Sequence, residues 1–281
     1  MKKIIKTFVF ISSLAFGHQI FAAACSDEPI SDLDSCYTIP DTYTITLYEM
    51  GLCNNISEQS ATLPDLATSC QTSFTNSTGS TVNVENNVTG SLSGGTSTRP
   101  DNNTYAYGFI KVDAKMIMKN QSTFDVAVVD QSTNPGTVCW TNGNPFNGGV
   151  GQTTTCGNEV DANPQNMVAD IIALNCLAPA DNFYCRYEDD VEGLDNTYAW
   201  LVDANGNKST NASYSETAGD VKYLIGIAKF NDPKTLNSDS TGMQAQFVVT
   251  RALNIGIVGG GPRMVNFGLN EFKVLTEITT D

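Results

Sequence analysis

Tyr105-Ala-Tyr-Gly-Phe-Ile-Lys-Val-Asp-Ala-Lys-Met-Ile-Met-Lys119 is the stretch that decides the fold class. Tyr105, Tyr107 and Phe109 share one parity. Val112, Ala114, Met116 and Met118 share the other, opposite Lys111, Asp113, Lys115 and Lys119. A period of two residues is the signature of a strand. The apolar face changes side near Gly108. One extra residue flips a pleat, so a β-bulge is expected there. Asn120-Gln-Ser122 then reads as a hairpin turn, with Phe124, Val126 and Val128 on the returning strand.

The same alternation recurs on both sides of this stretch. Tyr43, Ile45 and Leu47 point one way and Thr44 and Thr46 the other, which predicts a half-buried strand. Residues 54–80 read as polar and irregular, and alternation resumes at Thr81-Val-Asn-Val84 and Asn87-Val-Thr89. Tyr198-Ala-Trp-Leu-Val202 runs into Asp203-Ala-Asn-Gly-Asn207, where Asn205-Gly206 is a strong hairpin signal. Val221 to Phe230 is apolar on both faces, as in a central strand. Met243 to Ile255 alternates, and Phe272, Val274 and Ile278 supply a closing strand. Residues 166–176 hold the one helical spacing, Met167, Ile171 and Leu174, and a buried strand fits them nearly as well.

The expected fold is therefore all-β. It is an antiparallel sandwich or barrel-like domain with long disulfide-stapled loops and at most one short helix. No fixed-period repeat and no linker divides the chain, so residues 25–281 read as one elaborated domain. A subdivision near 135–165 is the alternative.

The 281 residues are 41% hydrophobic and 16% charged, enough apolar surface for a sizeable core. The net charge of -15 repels phosphate backbones, which excludes nucleic acid as a partner. Lys2, Lys3 and Lys6, an apolar run from Phe8 to Phe16 and Ala22-Ala-Ala24 have the layout of a signal peptide over residues 1–24. The run is too short to span a bilayer, so no transmembrane span is expected after cleavage. Cys25, next to the cleavage point, is also an acceptor for a lipid anchor. The location is thus extracytoplasmic: secreted, cell-surface or periplasmic. The single histidine, His18, lies inside the leader. The mature chain would therefore lack Ser-His-Asp and Cys-His machinery and histidine metal ligands.

Cys25, Cys36, Cys53, Cys70, Cys139, Cys156, Cys176 and Cys185 are an even set with no C-x-x-C. In an oxidising compartment this reads as four disulfides. Their spacing favours local pairs: 25 with 36, 53 with 70, 139 with 156, and 176 with 185.

Three groups are candidate sites. Asp203, Asn205, Asn207 and Ser209 place oxygen side chains at alternate positions, as the start of a calcium loop does, although position twelve is Tyr214. Ca²⁺ is the only cofactor the sequence raises, and the plain alternative is a turn. Trp140, Trp200, Tyr184 and Tyr187 could stack on sugars or fill a core. Glu188-Asp-Asp190, Glu192 and Asp195 form an acidic run that reads as a solvated loop. Gly256 to Gly261 is glycine-rich, but Pro262 stands where a nucleotide-binding helix would open.

Pro40-Asp-Thr-Tyr-Thr-Ile-Thr-Leu-Tyr-Glu-Met-Gly-Leu-Cys53 resembles the opening strand of small secreted, cysteine-containing proteins of marine bacteria. The resemblance implies an exported, disulfide-bearing, surface-associated protein and carries no activity. The leading expectation is a non-enzymatic exported surface protein, an adhesive or filament-type subunit that associates with itself or with other surface proteins. A soluble extracellular module that binds glycans or another ligand is the main alternative. A carboxylate-based hydrolase is the lesser one.

Overall fold

The computed structural model describes residues 23–31, 34–57, 62–84, 92, 94–147, 152–174, 182–188, 194–259, 263–270 and 272–280. These residues form an all-β protein, mostly antiparallel, with one four-residue helix, Leu66–Ser69, capped by the Asp65 carboxylate. Two sheets dominate. The larger is built on Thr42–Cys53. One edge of that strand pairs with Cys70–Val84, the other with Asn103–Asp113 and Lys115–Lys119. Tyr223–Leu236, Leu194–Val202 and Tyr184–Glu188 extend this sheet one way, Met167–Asp170 and Phe146–Asn147 the other. The second sheet runs Ala23–Ala24, Cys36–Thr38, Leu253–Val258, Met264–Leu269, Gln121–Val129, Pro135–Thr141, Thr154–Gly157. A separate ribbon pairs Ser240–Val248 with Lys273–Thr280.

The principal core fills the space between the sheets. It joins Tyr43, Ile45, Leu47, Val112, Met116 and Met118 of the larger sheet to Phe124, Val128, Ile255, Val265 and Phe267 of the smaller. A second cluster lies on the outer face of the larger sheet. There Tyr107, Phe109, Tyr198, Trp200, Ile225 and Ile227 pack against Ile56, with Leu63 and Leu66 alongside.

That outer cluster explains the change of face near Gly108. Residues 107–113 pair without interruption with residues 229–223, so no bulge falls at Gly108 itself; the nearest register shift lies between Lys229 and Lys234, opposite Tyr107 and Tyr105, with the extra residues on the partner strand. Both parities are apolar because both faces are covered. Strands buried on two sides read as continuous apolar runs rather than as alternation. The strand breaks instead at Ala114, where the sheet forks. The Ala114 amide donates to the Lys222 carbonyl on one branch, and its carbonyl accepts from Ile171 on the other.

Two other expectations change, and one alternative left open is decided. Asn120 is not a hairpin turn: Lys115–Lys119 and Gln121–Val129 belong to different sheets, and the chain crosses between layers there. Asn120 is buried at the crossing and donates to the Ser122 hydroxyl. Residues 70–80, read as irregular, belong to a 15-residue strand whose Ser, Thr and Asn side chains hide its alternation. In the 166–176 segment, Met167–Asp170 is a strand.

Two hairpins share one turn. Asp130-Gln-Ser-Thr-Asn134 and Asp203-Ala-Asn-Gly-Asn207 each place an aspartate Oδ1 on the amides two and four residues on, at 2.8 and 3.0 Å for Asp130 and 3.0 and 2.9 Å for Asp203. The fourth residue has a left-handed backbone in both, with φ 66° at Thr133 and 81° at Gly206.

Disulfides join Cys25 to Cys36, Cys53 to Cys70 and Cys139 to Cys156, as the spacing suggests. Cys185 is also bonded, and its expected partner, Cys176, lies outside the described residues. The Cys25 sulfur is taken up by Cys36, which leaves no thiol to carry a lipid. Residues 1–22, most of the expected leader, lie outside the described residues, as do residues 260–262 of the glycine-rich run and much of the acidic run. No described helix is long and apolar enough to cross a membrane.

Cys53–Cys70 closes a separation of 17 residues beside the outer cluster. The double variant Cys53→Ser/Cys70→Ser is expected to lose about 3 kcal/mol of unfolding free energy. Guanidinium unfolding checks this, read as a lower midpoint.

Candidate functional site

A concave site lies between the larger sheet and the Lys273–Thr280 strand. It is a cavity of about 490 Å³, within the range of small-molecule sites. Its floor is read from the sheet register. Gly108, Ala228 and Thr197 stand in one row across three adjacent strands, and Ile110, Gly226 and Ala199 in the next. Directly paired residues share a face, so five of these six positions carry only a hydrogen, a methyl or a threonine side chain. Val112, Leu224 and Leu201 form the third row and restore full-sized side chains. The remaining walls include Phe146, Ile171, Leu174, Leu269, Phe272 and Val274. Thr276 comes down at one corner: a Cβ built on Gly108 would stand 3.1 Å from its Oγ1 and 3.0 Å from the Phe230 ring. A Cβ built on Gly226 would stand 3.3 Å from Cγ1 and 3.7 Å from Cδ1 of Ile110, so the Ile110 side chain leans over that position. Asn182, Asn270 and Lys273 are the other polar lining residues apart from Asp170, whose strand partner is Lys115.

A second constellation sits at the sheet fork. Lys222 Nζ lies 3.1 Å from Asp113 Oδ2 and 2.9 Å from Glu216 Oε1, and it donates to the Tyr214 hydroxyl at 2.9 Å. Tyr214 donates to Asp113 Oδ1 at 2.7 Å, and Tyr48 donates to Oδ2 at 3.3 Å. The Lys222 and Asp113 side chains are only 11% and 10% exposed. Burial, and then the Asp113 carboxylate, push the Tyr214 hydroxyl up against the pull of Lys222. Burial alone would lower Lys222, but its bonds to Tyr214, Glu216 and Asp113 outweigh that and raise it. Burial followed by Asp113 raises Tyr48. A general acid or base works best when its pKa lies near the operating pH. Here each shift runs away from neutrality, so the cluster acts as a polar pin that ties residues 214–222 to the fork.

The residues singled out in the sequence lie elsewhere. Asp203, Asn205, Asn207 and Ser209 lie in a turn and its flanking backbone hydrogen bonds. Asp203 Oδ1 accepts from the Asn205 and Asn207 amides and Oδ2 from the Gly219 amide at 3.0 Å, while the Ser209 hydroxyl donates to the Asp220 carbonyl. Asp130 repeats the same turn, so the spacing is that of turn chemistry. Burial opposes ionisation of Asp203, but the Gly219, Asn207 and Asn205 amides prevail and hold its carboxyl below the usual range. Among the described residues no three His, Cys, Asp or Glu side chains are grouped to hold a metal ion.

The aromatic residues are core. Trp200 is 0% exposed, with the Tyr184 ring 5.1 Å and the Tyr198 ring 6.3 Å away. Tyr184 is buried, and Trp140 is buried over Gly157. None of these three rings presents a face to a sugar. Tyr187 lies on the Tyr184–Glu188 strand, and its side chain lies outside the described residues. Sequence reading missed the cavity because a glycine or alanine is inconspicuous until register sets it beside others.

No family model matches the chain, nor does any curated protein or any solved structure.

Two outcomes follow from the polar anchors. Asp203→Ala strips the acceptor from three backbone amides and should cost about 2–4 kcal/mol. Calcium should not shift the melting temperature of the wild type. Because the folded pKa of Asp203 is lowered, its contribution is complete above the ordinary carboxylate range and is lost as the pH falls through the lower folded value. Asp203→Asn should flatten that part of an acid-unfolding curve. Lys222→Met leaves Asp113 buried without its cation and should cost about 3 kcal/mol in denaturant unfolding.

Proposed function

We propose that this chain is an exported, non-enzymatic β protein that holds a small, largely apolar molecule in the cavity beneath the Lys273–Thr280 strand. The observation that carries the reading is the cavity itself: about 490 Å³, with mainly apolar walls and a few polar groups. A concave site of this size leaves apolar side chains facing solvent, and a bound apolar molecule would remove that surface from water. The leader-like sequence and the disulfides support export. The fork cluster, with its pKa shifts directed away from neutrality, supports a role without catalysis.

The surface-subunit reading draws support from one specific feature. With the leader removed behind Ala24, Cys36–Thr38 is the edge of the seven-stranded sheet, and Lys273–Thr280 lies in a two-stranded ribbon, so among the described residues each has an edge with no strand partner. Edges of this kind can accept a strand from a second copy.

Native mass spectrometry of the oxidised protein, isolated from its source without denaturation, separates the two readings. The ligand-binding reading expects a non-covalent adduct of small-molecule mass on a monomer, released on denaturation. Defined oligomers without an adduct would favour the subunit reading. A bare monomer that takes up no apolar probe would overturn the first reading.

A further inference from the structure

The cavity lining is sorted by depth, and the sorting bears on which way round a ligand sits; the inference rests on the cavity being a ligand site. The buried part of the lining is mainly aliphatic, with Met50, Ile110, Leu224, Ala199 and Ala228 beside Thr276 and Lys273. Among the described lining residues only Ala173, Asn182 and Asn270 are exposed, so they mark where the cavity meets solvent. Both asparagines are held by their backbones. The Asn182 carbonyl accepts from the Leu174 amide at 2.7 Å, and the Asn270 amide donates to the Ala252 carbonyl at 2.9 Å. The mouth thus carries two carboxamide side chains on fixed backbone, each able to donate and to accept.

An amphiphile matches this order. Its tail loses contact with water against the aliphatic interior, and its head stays wet at the mouth. A pure hydrocarbon gains nothing from the two amides. The charges of the lining select the kind of head. Asp170 and Lys273 are its charged members, one of each sign. Asp170 Oδ1 is buried and accepts no hydrogen bond, with Lys115 Nζ 3.8 Å away, so a ligand does not reach that oxygen. An anionic head would meet the Asp170 charge and a chain of net charge -15. A cationic head would meet Lys273 and Lys115. A hydroxyl meets neither penalty, and it can donate to one carboxamide and accept from another. We infer that the cavity takes an amphiphile with an uncharged hydrogen-bonding head, its tail inward against Leu224 and Ala228 and its head at the mouth with Asn182 and Asn270.

The probes are 1-decanol, decanoate and decylammonium, which share one tail and differ in the head. Each is titrated against the full oxidised protein by equilibrium dialysis at neutral pH and low salt. The expected result is one saturable site that binds 1-decanol most tightly. Asn182→Ala and Asn270→Ala should each weaken 1-decanol about threefold, the loss of one neutral hydrogen bond. Both residues are exposed, so neither variant should move the melting temperature, and lost binding is not mistaken for lost structure. Decanoate or decylammonium bound more tightly than 1-decanol would overturn the uncharged-head inference and leave the cavity reading standing. Unchanged 1-decanol affinity in both folded variants would put the head elsewhere and overturn the inference. Failure of all three probes to bind the wild type would overturn the cavity reading itself.

Discussion

Asn103–Asp113 has no free face and no free edge over most of its length, and the rest of the molecule is arranged around that constraint. Its edges pair with Thr42–Cys53 and Tyr223–Leu236. One of its faces looks into the core between the sheets, the other into the cluster around Trp200. A backbone so enclosed must satisfy every amide and carbonyl in its ladder, because no water is at hand to do so. Two layers of cover are therefore needed: the seven-stranded sheet on one side, and on the other Ile56 with Leu63 and Leu66, held by Cys53–Cys70.

Where that double cover ends, the sheet forks. At Ala114 the chain leaves the Tyr223–Leu236 strand and takes up Met167–Asp170 instead. Backbone polarity and charge accumulate at the junction, and Asp113, Lys222, Tyr214, Tyr48 and Glu216 meet it with hydrogen bonds and two ion pairs. Buried charges are tolerated when paired and hydrogen-bonded. These bonds fasten residues 214–222 to the fork.

The cavity is the counterpart of the packed regions. On the core face of the Leu194–Val202, Tyr223–Leu236 and Asn103–Asp113 strands, large residues occupy the row of Val112, Leu224 and Leu201, and small ones the next two rows. The Lys273–Thr280 strand passes over that shallow region without filling it. Stability alone would favour leucine at Ala228 or Ala199, because buried methylene groups stabilise a core. Keeping those positions small is a cost in stability that the proposed ligand offsets.

Much of this was legible in the chain. Alternation at Tyr43–Leu47, the two-sided apolar run at Val221–Phe230, the Asn205-Gly206 turn and the local cysteine spacings each report a short-range constraint: a pleat, a burial, a backbone angle, a loop length. Each is a property of neighbours in sequence, so the sequence by itself determined the all-β class and pointed to the three described disulfides. What it could not convey depends on residues far apart in the chain. The switch of face near Gly108 carries the same pattern whether a bulge or a second cover causes it, and only the tertiary structure supplied Ile56, Leu63 and Leu66 as the cover. The Asp203 spacing serves a turn or an ion equally, and only the Gly219 amide, 16 residues on, completed the turn. Gly108, Gly226, Ala199 and Ala228 make a floor only once register sets them side by side. Strand order and register are set by packing across the whole domain, and they alone decided where the molecule has room for a ligand.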